Sequence, residues 1–146
     1  MKLEEIGFYT LSNNRVKHIS VNSPLWRCEL ILTGRCNFKC PYCRHIGGQD
    51  IPYENALNVV KLWAGMGLKN IRFSGGEPTL YPYLQHLTSY ARVRGIEKIA
   101  LSTNGSASQE TYKELLECGI NDFSISLDAC CAEDSDRMAG TGRGNG

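Results

Sequence analysis

The segment Gly67-Leu68-Lys69-Asn70-Ile71-Arg72-Phe73-Ser74 carries a pattern that occurs three times in the chain. It consists of a glycine, an apolar residue, two polar residues, an apolar residue, a variable residue, an apolar residue and a serine. The same pattern returns at residues 95–102 and 119–126, so the chain contains an internal repeat. Each copy is predicted to be a glycine turn followed by a short buried strand.

A helix is predicted before each copy of the repeat. A proline or a capping serine marks each helix start, and a glycine marks each end. The predicted helices run from Asp50-Ile51-Pro52 to near Gly67, from Pro82 to Gly95, and from a capping box of Ser106 and Gln109 to Gly119.

Strands that alternate with helices and are joined by short glycine turns are typical of βαβ units and a parallel sheet. The apolar run Cys28–Thr33 adds a strand before the first helix. We therefore predict an α/β fold, a partial (β/α) TIM-like barrel of about four parallel strands with covering helices. Residues 25–146 would form this core domain, and residues 1–24, with Asn13-Asn14 between two alternating runs, would form an N-terminal β-hairpin extension.

Residues 130–146 are predicted to be a loop after the fourth strand, with the fourth helix never reached. Four parallel strands leave an edge strand unpaired, which natural chains avoid or cover. We therefore expect the core domain to be incomplete at its C-terminus, so that a missing segment or a partner chain completes it.

Composition limits the functional classes. A chain of 146 residues with a net charge of +1 and 42% hydrophobic residues fits one folded domain and indicates neither nucleic acid nor a membrane as a partner. No signal peptide is evident, and seven cysteines, an odd number, suit a reducing compartment better than a disulfide framework. We expect a cytoplasmic protein in which Cys28, Cys118, Cys130 and Cys131 are free thiols.

Three cysteines follow the first predicted strand, in the run Cys36-Asn37-Phe38-Lys39-Cys40-Pro41-Tyr42-Cys43. Three thiols within eight residues indicate a metal site. They could instead be small buried residues on one face of a helix, but Pro41 would break that helix. Two kinds of site remain open. One is an iron–sulfur cubane held by three cysteines with one open iron. The other is a zinc site with His45 as the fourth ligand, although these four residues are closer together in the sequence than zinc ligands usually are.

Polar and glycine-rich residues follow the other strands, at the edge where parallel α/β folds place their chemistry. A glycine pair lets backbone approach a ligand, and hydroxyl, amide and carboxylate side chains can bind a ribose or an amino-acid head group, although turns and caps use the same residues. These candidates are Gly75, Gly76 and Glu77 after the second strand, Thr103 and Asn104 after the third, and Ser126 and Asp128 after the fourth.

The spacing C-x-x-x-C-x-aromatic-C, with Tyr42 as the aromatic residue, resembles the signature of the radical S-adenosylmethionine (SAM) enzymes, and Gly75–Pro78 resembles that family's G-G-E-P segment. The resemblance implies that Cys36, Cys40 and Cys43 bind a [4Fe-4S] cluster, that SAM chelates its fourth iron, and that Tyr42 lies near the adenine. The remaining implied SAM contacts are Gly75, Gly76 and Glu77 with the ammonium, and Thr103, Asn104, Ser126 and Asp128 with the ribose and carboxylate.

The resemblance also implies an activity. Such an enzyme cleaves SAM reductively to a 5′-deoxyadenosyl radical that abstracts hydrogen from a substrate, here an unknown small molecule or peptide, and takes its electron from a donor such as flavodoxin or ferredoxin. The run Ile71–Pro78 looks like the corresponding run of the molybdenum-cofactor GTP cyclases, which would make Arg72 a substrate contact. The alternative is that Arg72 faces outward and extends along the covering helix to solvent. The alternatives are a non-catalytic iron–sulfur or zinc module and a truncated SAM-binding fragment completed by a partner.

Cationic residues crowd the cysteine run. They would stabilise an anionic cluster and the SAM carboxylate, although solvated charges on an exposed loop are an equal explanation. These residues are Arg35, Lys39, Arg44 and His45.

Overall fold

The computed structural model describes residue 23 and residues 26–44, 47–127 and 132–140. The hairpin predicted for residues 1–24 lies outside these residues apart from Ser23, as do His45, Asp128, Cys130 and Cys131. The proposed hairpin and the boundary between the two domains therefore stay predictions.

Strands and helices alternate as the repeat predicts. The elements are β1 (Arg27–Thr33), α1 (Tyr53–Gly65), β2 (Asn70–Gly75), a short 3-10 helix (Pro78–Leu80), α2 (Leu84–Val93), β3 (Lys98–Thr103), α3 (Gln109–Cys118), β4 (Asp122–Ile125) and α4 (Ala132–Met138). Of the helices in the described ranges, none is both long enough and apolar enough to cross a membrane.

The four strands form one parallel sheet in the order β1-β2-β3-β4. Leu30, Phe73, Leu101 and Phe123 are paired in register across it and form one row. The sheet is not closed, since β1 and β4 are its outer strands in the part of the chain that the structure describes. The α/β class and the partial-barrel prediction are confirmed.

Helices α1, α2 and α3 cover one face of the sheet. Leu32, Phe73 and Leu101 are completely buried on that face, and α1 packs Ala56 and Val60 into the same cluster. Burying a large apolar side chain contributes about 1.5–3 kcal/mol, so this helix-facing layer holds the strands in register. Further buried members of the cluster include Leu84, Leu87 and Ala91 from α2 and Leu115 from α3.

The start of α3 differs from the prediction. Its N-cap is Ser108, whose Oγ accepts the N–H of Thr111 at 3.1 Å, so the predicted capping box at Ser106 and Gln109 is wrong. Ser106 instead accepts a hydrogen bond from Asn37 of the cysteine run at 2.8 Å. Ser106 and Ser108 could each cap the helix, but Ser106 is bonded to Asn37, which is distant in the sequence, so Ser108 is the cap.

The prediction that no helix follows the fourth strand is also wrong. Residues 132–138 form α4, which is followed by Gly140 in a left-handed conformation with φ of 65°. Arg137 and Asp134 form an ion pair within the helix at 2.5 Å, and Ala139 directly after it is buried. Whether a further segment or a partner completes the domain stays a prediction.

Candidate functional site

A cavity of about 540 Å³ lies at the carboxyl ends of the strands. It brings together nine of the eleven site residues predicted from the sequence, namely Cys36, Cys40, Tyr42, Cys43, Gly75, Gly76, Thr103, Asn104 and Ser126. Of the other two, Glu77 is buried behind the wall and Asp128 lies outside the described residues. Residues from four separate segments therefore meet at one cavity.

The cysteine run is a loop with a closed neck. The N–H of Gly34 donates to the carbonyl of Gln49 at 2.8 Å, and the N–H of Ile51 donates to the carbonyl of Leu32 at 2.9 Å. Within the loop, the N–H of Cys43 donates to the carbonyl of Cys40 at 3.0 Å across a turn. The loop is not helical, as Pro41 predicts.

All three loop cysteines are free thiols on the wall of one cavity. No three histidine, cysteine, aspartate or glutamate side chains within the described ranges converge on a position for a single metal ion. A cubane gives each thiolate its own iron, so its ligands need not converge on one point. The cavity volume is also in the range of cofactor pockets, so this donor set fits an iron–sulfur cluster with room for an adjoining ligand.

The glycine pair after β2 packs directly against the start of the cysteine loop. A Cβ on Gly76 would lie 2.2 Å from the carbonyl oxygen of Arg35, and one on Gly75 would lie 2.3 Å from that of Thr33. The N–H groups of Gly76 and Glu77 donate to these same carbonyls, of Thr33 and Arg35, each at 2.8 Å. Glycine is therefore needed at these two positions so that the segment can pack beside Cys36. This requirement is separate from the predicted approach of the segment to a ligand.

The carboxylate of Glu77 is fully buried. Its Oε1 accepts the N–H of Thr79 at 3.1 Å, the hydroxyl of Thr79 at 2.7 Å and the hydroxyl of Thr103 at 2.8 Å, while its Oε2 accepts the N–H of Asn104 at 2.7 Å. A buried carboxylate needs such donors to offset its desolvation. The side chain of Glu77 therefore joins the segment after β2 to the end of β3.

Thr103 and Ser126 differ in how they meet the cavity. Thr103 is 2% exposed, and its hydroxyl lies between Glu77 and the hydroxyl of Tyr112, the latter at 3.1 Å. Ser126 lies on the cavity wall, with its N–H donating to the carbonyl of Thr103 at 2.9 Å. The hydroxyl of Thr103 is thus engaged inside the protein, so a cofactor would meet the backbone of this residue.

Asn104 connects the end of β3 with the cysteine loop. Its Oδ1 accepts the N–H of Ser106 at 3.0 Å, and its Nδ2 donates to Oδ1 of Asn37 at 2.9 Å and to Sγ of Cys36 at 3.8 Å. Nδ2 of Asn37 donates in turn to Oγ of Ser106 at 2.8 Å. These four residues form a closed polar network on one side of the cavity.

Arg35 is paired at the neck of the loop. Its Nε and one terminal nitrogen bind the two carboxylate oxygens of Asp50 at 2.9 and 2.7 Å, and that terminal nitrogen also donates to the carbonyl of Leu80 at 2.6 Å. The hydrogen bond from Arg35, together with one from Thr33, lowers the pKa of Asp50 below its usual range. Arg35, one of the cationic residues expected around a cluster, is therefore paired with Asp50.

Helix α4 supplies a wall of the cavity that sequence reasoning missed. Ser135, Met138 and Ala139 line it, and the N–H of Lys39 donates to the carbonyl of Ala139 at 2.7 Å. A Cβ on Gly140 would lie 2.6 Å from the carbonyl oxygen of Lys39. A glycine just after a short polar segment was the available signal, since glycine often ends a helix.

Comparison with known protein families and sequences gives consistent results. Residues 30–144 match the Radical SAM superfamily. The GTP 3',8-cyclases of Staphylococcus epidermidis and Staphylococcus haemolyticus are 35% and 32% identical over 118 residues, which cover 73% of this chain and 35% of each relative. The chain therefore spans about a third of the length of these curated relatives.

Solved structures share the fold. Streptococcus suis SuiB bound to S-adenosylmethionine aligns with a TM-score of 0.67 and 20% identity over 87% of this chain and 29% of SuiB. SuiB bound to its precursor peptide SuiA aligns with a TM-score of 0.63 over 79% of this chain and 27% of SuiB. At this identity the likeness concerns the fold.

Proposed function

Since this chain belongs to the radical SAM superfamily, whose enzymes use a [4Fe-4S] cluster and SAM, we propose that Cys36, Cys40 and Cys43 hold the cluster and that the adjoining cavity binds SAM. When bound, these groups supply reductive cleavage of SAM to methionine and a 5′-deoxyadenosyl radical that abstracts hydrogen from the substrate. The observation that carries the proposal is the single cavity shared by the three thiols, the glycine pair and the ends of β3 and β4.

The glycine segment is proposed to bind the SAM ammonium through backbone carbonyls. An ammonium group needs acceptors, and the N–H groups of Gly76 and Glu77 are already engaged with β1 and the loop that follows it. Gly75 and Gly76 line the cavity, whereas the Glu77 side chain holds their segment in place.

The other proposed SAM contacts come from the loop and from the ends of β3 and β4. Tyr42 lies on the cavity wall and is 54% exposed, and its ring would pack against adenine. The ribose and carboxylate contacts proposed for Thr103, Asn104, Ser126 and Asp128 rest on the family motif. For Thr103 the contact is proposed to be with its backbone, because its hydroxyl is bonded to Glu77.

Arg72 is the proposed contact for an anionic group of the substrate. Ile71 and Phe73 belong to the helix-facing core, so strand alternation places Arg72 on the opposite face. Its Nε is buried and has no hydrogen-bond partner among the described residues, which an anionic oxygen would supply. This favours a phosphate-bearing small molecule, such as the GTP of the cyclase relatives, over a neutral peptide segment.

Binding of GTP tests the assignment of Arg72. Equilibrium dialysis of labelled GTP against the cluster-loaded protein with SAM should show binding that Arg72→Ala weakens by about tenfold or more, the range expected for a charged hydrogen bond. Arg27→Ala changes an exposed arginine at the start of β1 and should leave affinity unchanged. Equal affinity in the wild-type protein and Arg72→Ala would refute the assignment.

The cofactor proposal is tested by product analysis. Protein reconstituted anaerobically with iron and sulfide, then supplied with SAM and dithionite or reduced flavodoxin, should form 5′-deoxyadenosine, measured by mass spectrometry. Alanine at Cys36, Cys40 or Cys43 should abolish cluster assembly, whereas Cys118→Ala, at the end of α3, should not. A cluster-loaded protein that binds no SAM would indicate a non-catalytic iron–sulfur module, and SAM binding without cleavage would indicate an inert fragment.

A further inference from the structure

In the part of the chain that the structure describes, two N–H donors lie within hydrogen-bond distance of the sulfur of Cys36. The N–H of Phe38 lies 3.4 Å from Sγ and belongs to the loop itself, whereas Nδ2 of Asn104 lies 3.8 Å from Sγ and comes from the end of β3. The donor from Asn104 is therefore a contact that only the folded sheet can place beside this cysteine.

The orientation of the Asn104 carboxamide is fixed by its other bonds. The backbone N–H of Ser106 can only donate, so the group that it contacts at 3.0 Å must be Oδ1 of Asn104. Nδ2 then faces the loop, where one hydrogen reaches Oδ1 of Asn37 at 2.9 Å and the other is directed to Cys36. The backbone of Asn104 is anchored by Glu77 at 2.7 Å, so the donor is held in place before any cofactor binds.

We propose that Asn104 is a positioning residue for Cys36 whose side-chain N–H raises the reduction potential of the cluster. The inference depends on the proposed function above, in which Cys36 is a cluster ligand. Hydrogen bonds to ligand sulfur stabilise the reduced state, because that state carries more negative charge, and they also fix the direction of the ligand. Asn104 thus acts through Cys36, in addition to any contact with SAM.

The test is a redox titration of the reconstituted cluster, monitored by electron paramagnetic resonance without SAM. Asn104→Ala should lower the one-electron reduction equilibrium constant by about threefold to tenfold, or roughly 30–60 mV. The matched control is Asn121→Ala. Asn121 likewise accepts a backbone N–H, that of Ile99 at 2.9 Å, and donates to a carbonyl, that of Glu97 at 2.7 Å, but it lies at the opposite end of β3. Asn121→Ala should lower the stability of the protein and leave the reduction potential of the cluster unchanged.

A second readout does not depend on the variant folding. Wild-type protein carrying asparagine labelled with ¹⁵N only in the side-chain amide should show a ¹⁵N coupling to the reduced cluster in pulsed resonance spectra. Asn104→Ala should lose that coupling, while Asn121→Ala should keep it. The side-chain amide of Asn37 also lies beside Cys36, so if Asn104→Ala fails to assemble a cluster, the spectrum of Asn37→Ala decides: a retained coupling supports the inference and its loss overturns it.

The outcomes separate the inference from the function on which it rests. A wild-type protein that assembles no iron–sulfur cluster overturns the proposed function. An intact cluster whose potential is the same in the wild-type protein and Asn104→Ala overturns the role of Asn104 and leaves the cluster assignment standing.

Discussion

The buried carboxylate of Glu77 accepts the backbone N–H of Asn104 at 2.7 Å, and this bond joins the segment after β2 to the segment after β3. Asn104 in turn donates its side-chain amide to the cysteine loop. One buried acidic group therefore supports three of the segments that surround the cavity, although its own side chain does not line it.

Glu77→Gln should destabilise the protein by roughly 1–3 kcal/mol. The substituted amide would present an NH₂ group to at least one of the four donors that Glu77 now accepts, leaving a buried N–H or hydroxyl unpaired. Urea unfolding of the cluster-free protein measures the change. Glu117→Gln, on an exposed position of α3, should stay within about 0.5 kcal/mol of the wild-type protein, and equal stabilities of all three would refute the role of Glu77.

Gly76→Ala should reduce cluster assembly as well as SAM binding. The added methyl would lie 2.2 Å from the carbonyl oxygen of Arg35, and Arg35 directly precedes the proposed ligand Cys36, so the loop must shift. Iron and sulfide per chain after anaerobic reconstitution measure the effect. Gly65→Ala is the matched control, because its Cβ meets open space at the end of α1 and alanine is the better helix residue. Full iron loading of Gly76→Ala would contradict this packing.

Asp50→Asn should weaken the neck of the cysteine loop in a pH-dependent way. Because Arg35 and Thr33 lower the pKa of Asp50 in the folded state, its carboxylate adds stability above the unfolded-state value near 4, and that stability is lost as the pH falls through the folded-state value. The difference in unfolding free energy between the wild-type protein and Asp50→Asn should therefore be full above about pH 5 and shrink in more acidic solution.

The Lys69–Glu97 pair gives a control for the effect of Asp50 on the cluster. The hydrogen bond from Lys69 lowers the pKa of Glu97 as well, but this pair lies at the amino ends of the strands. Glu97→Gln should retain full iron content at neutral pH, whereas Asp50→Asn should retain less. Equal iron content in both variants would show that the neck does not depend on the Arg35–Asp50 pair.

The sheet was predictable because its signals are local. Glycine turns, three apolar positions and a terminal serine recur within each copy of the repeat, and Phe73, Ile99 and Leu101 are buried as that pattern requires. The cap of α3 was misplaced because the choice between Ser106 and Ser108 depends on Asn37, which is distant in the sequence. Helix α4 was missed because little in its composition other than Met138 marks an inward face.

The three cysteines could be proposed as cluster ligands from spacing alone, since Cys36, Cys40 and Cys43 are close in sequence. The division of roles among the other residues could not be inferred in this way. The carboxylate of Glu77 binds the backbone of Asn104, and the amide of Asn104 binds the cysteine loop. These contacts join segments that are distant in the sequence, so they cannot be read from it.

The most direct test of the three-cysteine site is a hyperfine measurement on the reduced, anaerobically reconstituted protein with SAM labelled by ¹⁵N at its amino group. A cluster held by Cys36, Cys40 and Cys43 leaves one iron for SAM, so the spectrum should show ¹⁵N coupling to the cluster in the wild-type protein and in Cys118→Ala. A fully assembled cluster that shows no such coupling, with protein ligands on all four irons, would contradict the account.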